Sequence, residues 1–271
     1  MGANMKSIEN INLKDVQAVY DGPEGRLWEL IMGEQIHIGG LVSSMDLAQR
    51  AGVGAGLSGI DLCCCNGAGM RFLVRMQGVL KMTGVDATET VVESGRRRCA
   101  EEGPAEKIEF VLADACDSGL DDACADFVWG EDAWCYVRDK AKLISEAVRM
   151  ARPGGTIAFT DWVEGPAGLS DAEAERFMRF MKFPNVQDID GYRGLLEGNG
   201  CAVVVAEDTG RFGPYVDLYL DMVGKQVTYD VLKIIGFDND MLGAIAGEMT
   251  FMQGLAHAGK IAQGIFVAKK N

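Results

Sequence analysis

Between Leu57 and Asp161 the chain alternates short apolar runs with amphipathic stretches, and this alternation limits the possible folds more than any other feature. Leu57–Cys63, Lys81–Val85, Lys107–Leu112, Ala123–Trp129 and Thr156–Asp161 read as buried strands. Helices are expected between them. Met70–Leu80 places Phe72, Leu73, Met76 and Leu80 on one face, Thr88–Glu102 follows, and Lys140–Ala151 aligns Leu143, Ile144, Ala147 and Val148. Pro153–Gly154–Gly155 is expected to end the last of these. Strands separated by helices of this size give a parallel, doubly wound sheet. Before this region come expected helices near Leu13–Tyr20, Leu27–Met32 and Met45–Ala51 and a Gly-rich spacer, Gly52–Gly59. After it come helices over Asp171–Lys182 and Ile189–Gly198 and a strand over Cys201–Glu207. Helical stretches over Tyr215–Ile235 and Asp240–Ala258 and a final strand over Ile261–Ala268 complete the chain.

A chain of 271 residues, 48% hydrophobic, suits one large α/β domain. Its net charge of −14 would repel a phosphate backbone, so no nucleic-acid partner is expected. No apolar run reaches the roughly 18–20 residues that span a bilayer, and the polar N-terminus lacks a signal-type apolar segment. The expectation is a soluble, cytoplasmic protein, a monomer or homodimer, with no membrane partner. The eight cysteines form no CxxC pair and only His37 and His257 stand beside them, so no metal site and no disulfide framework is expected.

Chemistry concentrates at the expected strand ends. Asp61 leads into the loop Cys63–Cys64–Cys65–Asn66–Gly67 and then a helix. In a doubly wound sheet such a turn sets loop amides and a helix N-terminus against a ligand. The glycine fingerprint of dinucleotide sites is not met, because Cys63 and Cys65 stand where its first two glycines belong. Asp86, followed by Ala87, ends the second strand, where a carboxylate can accept ribose hydroxyls. Asp114–Ala115 ends the third, where an adenine amino group would be read, Glu131–Asp132 the fourth, and Asp161–Trp162 the fifth. One such aspartate is as readily a helix cap or a turn residue. Five strand ends of this kind together point to a ligand site.

Asp61, Cys63, Gly67, Asp86, Asp114 and the run LISEAVRMARPGGTIAFTD make the chain resemble the class I S-adenosylmethionine-dependent methyltransferases. The N-terminal YDGPEGRLWELIMGEQIHIGG and the segment FVWGEDAWCYVRDKAKL are similar to the group of sarcosine/dimethylglycine and phosphoethanolamine N-methyltransferases. The resemblance runs nearly end to end. It implies a doubly wound, seven-stranded, mostly parallel sheet with an N-terminal helical lid and a helical insertion before the last strand. The implied layout is a single domain over 1–271: lid 1–56, cofactor core 57–210, helical cap 211–260, final strand 261–269.

The resemblance also implies roles. S-adenosylmethionine is the cofactor, leaving S-adenosylhomocysteine. Asp61, Cys63 and Gly67 would line its methionine end, with Cys65 close by, Asp86 its ribose, and Asp114 with Ala115 its adenine; Ala87 and Glu131 are further cofactor-binding candidates. Tyr20, Asp132 and Tyr136 would be the catalytic set, although Tyr136 stands where the group has the histidine of a Tyr–His dyad. Trp28, His37 and Trp162 would line the substrate pocket. A substrate carboxylate would need a cation, for which Arg193, Arg211 and Lys260 are the candidates, Arg193 first. Met181 and Phe183 replace an arginine and a tyrosine that bind phosphate in the phosphoethanolamine enzymes, which shifts weight to a non-phosphorylated amine.

The implied reaction is methyl transfer to the nitrogen of a small amine, sarcosine- or dimethylglycine-like. The nitrogen must attack as the neutral amine, and the methylated cation suits aromatic faces. A tyrosine with an ordinary pKa near 10 is a poor base at neutral pH, so positioning and desolvation are the expected contributions. Two alternatives stand beside this reading: methyl transfer to a soft acceptor such as sulfur or arsenic, with Cys135 at the substrate side, and non-catalytic cofactor binding.

Overall fold

A computed structural model describes residues 5–271. Its strands are β1 (Lys6–Ser7), β2 (Ser58–Leu62), β3 (Lys81–Asp86), β4 (Ile108–Leu112), β5 (Ala125–Glu131), β6 (Ala151–Glu164), β7 (Asn185–Asp188), β8 (Cys201–Asp208) and β9 (Ile261–Lys270). Its helices are α1 (Leu13–Asp21), α2 (Pro23–Met32), α3 (Gly40–Ala51), α4 (Ala68–Met76), α5 (Glu89–Glu102), α6 (Lys140–Met150), α7 (Asp171–Met181), α8 (Ile189–Gly198), α9 (Phe212–Lys225), α10 (Thr228–Ile234) and α11 (Asn239–His257).

Seven strands form the main sheet in the order β4-β3-β2-β5-β6-β9-β8, parallel except for β9, which runs antiparallel between β6 and β8. This is the expected seven-stranded, mostly parallel sheet. Two short strands extend it: β7 pairs parallel with the end of β6, and β1 pairs antiparallel with β7. From β2 the chain winds first toward β4 and then toward β8, so a crevice opens beyond the carboxyl ends of β2 and β5. Leu143, Ile144, Tyr192 and Leu196 from α6 and α8 cover one face of the sheet. Leu47, Met70, Leu73, Val92 and Cys99 from α3, α4 and α5 cover the other. A third cluster joins α2, α7, α9, α10 and α11 beside the crevice, with Trp162, Phe177, Phe183 and Phe212 at its heart.

Local chemistry sets the element ends. Asn12 and Ser170 open α1 and α7 with reciprocal capping boxes, and Asp139, Asp188 and Asp238 cap α6, α8 and α11. The structure departs from the sequence reading in three places. α4 stops at Met76, because Gly78 turns left-handed at φ 71° and Leu80, 59% exposed, belongs to no apolar face. Pro153–Gly154–Gly155 ends no helix; it lies inside β6 at a shift of register between Ala125 and Phe127. The expected helix Tyr215–Ile235 divides at Gln226–Val227 into α9 and α10.

Beneath the crevice lies a buried polar knot. The Asp161 carboxylate receives the Cys135 N–H at 3.0 Å and the Tyr192 hydroxyl. The Lys140 ammonium, also buried, donates to the carbonyl oxygens of Cys135 and Val137. These bonds fix the 3-10 turn Trp134–Tyr136. Burial, only partly offset by Lys140 and Tyr192, raises the Asp161 carboxyl from its usual 3.8 to about 6. A raised folded-state pKa means that the native state holds a proton the unfolded chain has released, so stability falls as pH rises from about 4 through 6. Asp161→Asn removes this dependence, since the Tyr192 hydroxyl can turn to accept from the amide. Urea melts at pH 4 and pH 7 are expected to show the variant gaining on the parent by up to about 3 kcal/mol.

Candidate functional site

The crevice is a cavity of about 530 Å³. Its wall is built from the ends of β2 to β5, the loops that follow them, α1 and the segment Glu34–His37. Asp61, Cys63, Cys65, Asp86, Ala87, Asp114, Ala115, Glu131 and Asp132, from the strand ends, line it together with Tyr20, Tyr136 and His37.

The loop after β2 is held by the strand beside it. The N–H groups of Cys63 and Cys64 both donate to the Val85 carbonyl, at 2.8 and 3.1 Å, and that of Cys65 donates to the Asp86 carboxylate at 2.9 Å. Thr88 N–H reaches the other Asp86 oxygen at 2.9 Å. Cys63 and Cys65 take left-handed backbone conformations, φ 62° and 49°. These are the two positions where the fingerprint has glycine, and a side chain there costs roughly 1–2 kcal/mol each. Burial and the Asp86 charge push the Cys65 thiol up to about 12, and burial holds Cys63 and Cys64 well above the ordinary thiol range. All three are therefore neutral thiols at pH 7, neither nucleophiles nor metal ligands as they stand.

Asp61 is buried, and among the described residues no side chain or amide donates to its carboxylate. Burial and the nearby Glu131 and Asp86 charges raise it well above the usual carboxylate range. Such a group, facing a cavity, favours a cation brought by a ligand. Asp114 lies at the cavity edge, with one oxygen accepting from Cys116 N–H at 2.8 Å. Ala115 and Ala87 offer apolar surface between these carboxylates.

Asp132 stands on the same wall, left-handed at φ 49°. It accepts from Ile38 N–H at 2.8 Å and from Gln263 Nε2 at 3.0 and 2.9 Å. The buried Thr160 hydroxyl also faces this carboxylate. His37 closes the segment beside it: its Nε2 lies 3.1 Å from Ser44 Oγ and 3.3 Å from Glu131 Oε1, and Ser44 donates to that same oxygen at 2.6 Å. Tyr20 and Tyr136 meet edge to face at 6.1 Å between centroids. Burial raises both hydroxyls above their ordinary pKa.

Five expected positions lie elsewhere. Gly67 is the α4 cap, left-handed at φ 75°; a Cβ there would strike Phe110 at 2.6 Å, so its small size serves packing. Trp28 packs edge-on against Phe180, and Trp162 is enclosed by Phe177, Phe183 and Phe212. Arg193 donates to the Ala206 carbonyl at 3.1 Å on α8, away from the cavity. Cys135 is fully buried, with its thiol toward the Asp132 carbonyl, and does not line the cavity. Among the described residues, no three His, Cys, Asp or Glu side chains are arranged to hold a metal ion, and no helix is long and apolar enough to cross a membrane.

Other wall residues escape the strand-end reading. Gly69 faces the cavity, and a Cβ there would come within 2.5 Å of Glu131 Oε2. Val16 shares the face of α1 with Tyr20, four residues on, which helical spacing alone indicates. Ile11, Val137, Arg138 and Pro184 are brought together by the β1–β7 pairing, with Ile8 N–H on the Pro184 carbonyl at 3.0 Å.

A family model described as a methyltransferase domain matches residues 60–159. Methyltransferase GfsG of Streptomyces halstedii is 28% identical over 190 residues, 66% of this chain and 68% of the relative. Residues 60–159 thus carry a methyltransferase domain, and the chain is similar to S-adenosylmethionine-dependent methyltransferases. The sarcosine/dimethylglycine N-methyltransferase of Halorhodospira halochloris is 29% identical over 153 residues, 55% of this chain and about half, 53%, of that protein. Relatives also include a tocopherol O-methyltransferase of Arabidopsis thaliana and a sterol 24-C-methyltransferase of Saccharomyces cerevisiae. Haemonchus contortus phosphoethanolamine N-methyltransferase 2, solved with phosphomonomethylethanolamine and S-adenosylhomocysteine, shares the fold at TM-score 0.85. That likeness has 18% identity and covers 96% of this chain and 60% of that one.

The strained loop gives a direct test. Cys65→Gly removes a Cβ from a left-handed position and is expected to raise the unfolding free energy by about 1 kcal/mol, read from urea melts. A loss of stability would mean that the cysteine side chain contributes more by packing than the backbone loses by strain.

Proposed function

We propose that this methyltransferase acts on the nitrogen of a small amine. Asp61, Asp86 and Asp114 fit the bound cofactor by the chemistry of their oxygens. The unpaired Asp61 would face its cationic methionine end, Asp86 its ribose and Asp114 its adenine, with Ala115 and Ala87 against the ring faces. When bound, S-adenosylmethionine supplies an electrophilic methyl group that passes to a nitrogen lone pair while the sulfur keeps the electrons of the broken bond. On the same reading residues 1–56, of which 1–4 lie outside the described residues, form a lid and 211–260 a cap over the core 57–210, and 261–269 is the final strand.

The observation that carries nitrogen as the acceptor is the Tyr20–Tyr136 pair beside a wall rich in carboxylates. Full methylation of an amine ends in a permanent cation, and an aromatic face over it contributes roughly 0.5–2 kcal/mol. Both tyrosine hydroxyls stay protonated at neutral pH, because burial raises them. They therefore orient the amine and exclude water; they do not take its proton. The N-methyltransferases among the relatives support the same reading.

The test is transfer of labelled methyl from S-adenosylmethionine to a panel of small amines. Activity on at least one amine is expected, and none on phenols or thiols of similar size. Tyr136→Phe keeps the aromatic face and is expected to retain kcat/KM within about threefold. Tyr136→Ala removes it and is expected to lose about 10- to 30-fold, the equivalent of up to about 2 kcal/mol. Equal loss in both variants would make the hydroxyl a proton-transfer group and contradict the positioning role.

A further inference from the structure

The cavity wall is charged at one end and apolar at the other. Seven carboxylates line it, against two cations, Arg138 and Lys142. Both cations are exposed at the rim. The Arg138 guanidinium is turned to the chain, donating to the carbonyls of Ile8 and Glu9 at 3.1 Å each and to that of Ile11. Lys142 sits in the first turn of α6 beside Cys116, near the Asp114 side of the cavity.

The other basic side chains that might meet an acid group are engaged elsewhere. Arg211 pairs with Asp46, Lys260 donates to Glu173 at 2.6 and 2.7 Å, and Arg193 lies on α8. Behind Tyr136 the space is filled: Phe183 meets it edge-on at 4.9 Å and packs in turn on Trp162 and Phe177. No polar anchor is offered there. The wall adjoining Tyr20 and Tyr136 is Ile11, Val16, Val137 and Pro184, of which Ile11, Val16 and Pro184 are buried.

We infer that the acceptor is an amine without a carboxylate or phosphate, whose apolar body rests on Ile11, Val16, Val137 and Pro184. This rests on the nitrogen-acceptor reading and narrows it away from glycine derivatives. An acid group entering beside Tyr136 would lose its water, find only the Arg138 guanidinium, already held by the Ile8, Glu9 and Ile11 carbonyls, and feel the field of Asp61, Glu131 and Asp132. An alkyl or aryl group there gains apolar burial, and the amine end keeps the carboxylate field and the tyrosine faces. The four apolar residues thus select the acceptor, and the acidic wall rejects its anionic analogues.

The experiment compares kcat/KM of the full chain for N,N-dimethylbutylamine and N,N-dimethylbenzylamine with that for N,N-dimethylglycine and N,N-dimethylphosphoethanolamine. The acid-free amines are expected to be favoured by about 100-fold or more. Equal or better turnover of either acidic amine overturns this inference and leaves nitrogen methylation standing. Methylation of none of the four, with cofactor binding confirmed by calorimetry, overturns both. As a second measurement, Val137→Lys places a cation on the apolar wall at a half-buried position. It is expected to narrow the preference at least tenfold toward dimethylglycine; an unchanged ratio in a folded variant contradicts the placement of the acceptor body.

Discussion

The buried Asp132 carboxylate ties together three parts of the chain that are distant in sequence. It sits at the end of β5, accepts the Ile38 N–H from the segment that leads into α3, and accepts both contacts of Gln263 Nε2 from β9. Gln263 also donates to the Ile38 carbonyl at 2.9 Å, so strand, closing segment and carboxylate form one cycle. Burial raises this carboxyl, while His37, Gln263 and the Ile38 amide oppose the rise. Breaking such a cycle leaves a buried acceptor unpaired, at a cost of roughly 1–3 kcal/mol. The cavity exists because this junction holds Glu34–His37 over the strand ends.

Around that junction the protein gathers more negative charge than it neutralises. Burial and the neighbouring Glu131 and Asp86 charges raise Asp61, which has no donor within the described residues. A site that holds unpaired carboxylates in a cavity is poorly solvated until a cation enters. A sulfonium cofactor would bring positive charge to that place, and under the proposed function an amine acceptor would bring more, so that one electrostatic arrangement would serve the donor and the product. The Tyr20–Tyr136 pair adds a face that tolerates a cation without needing to titrate. Arg71 links the closing segment to the cofactor loop, donating to Glu34 at 2.6 Å and to the Asn66 carbonyl at 2.7 Å, so closure and loop geometry are coupled.

Much of this is legible in the sequence, for a physical reason. Parallel strands are buried on both faces and read as unbroken apolar runs, and the residues that follow them fall at one edge of the sheet by topology alone. That is why Asp61, Asp86, Asp114 and Asp132 can be placed before any coordinates. The left-handed backbone at Cys63 and Cys65 follows from the glycine positions they occupy. Side chains whose place depends on packing between distant elements are not legible in this way. Trp162 looks like a pocket aromatic at a strand end, yet Phe212, from α9, closes over it. Arg193 looks like a free cation, yet α8 turns it to the Ala206 carbonyl. The apolar end of the cavity depends on a two-residue strand, β1, which has no periodicity to read.

Under the proposed function, the β2–β5 strand ends and the closing segment together form the cofactor site. Hydrogen exchange of the full chain, with and without saturating S-adenosylhomocysteine, tests it most directly. The prediction is protection of amides in 61–69, 86–88, 114–116 and 131–137, together with 11–20 and 34–38. Protection confined to other parts of the chain, or none at the strand ends with the product shown to be bound, would contradict it.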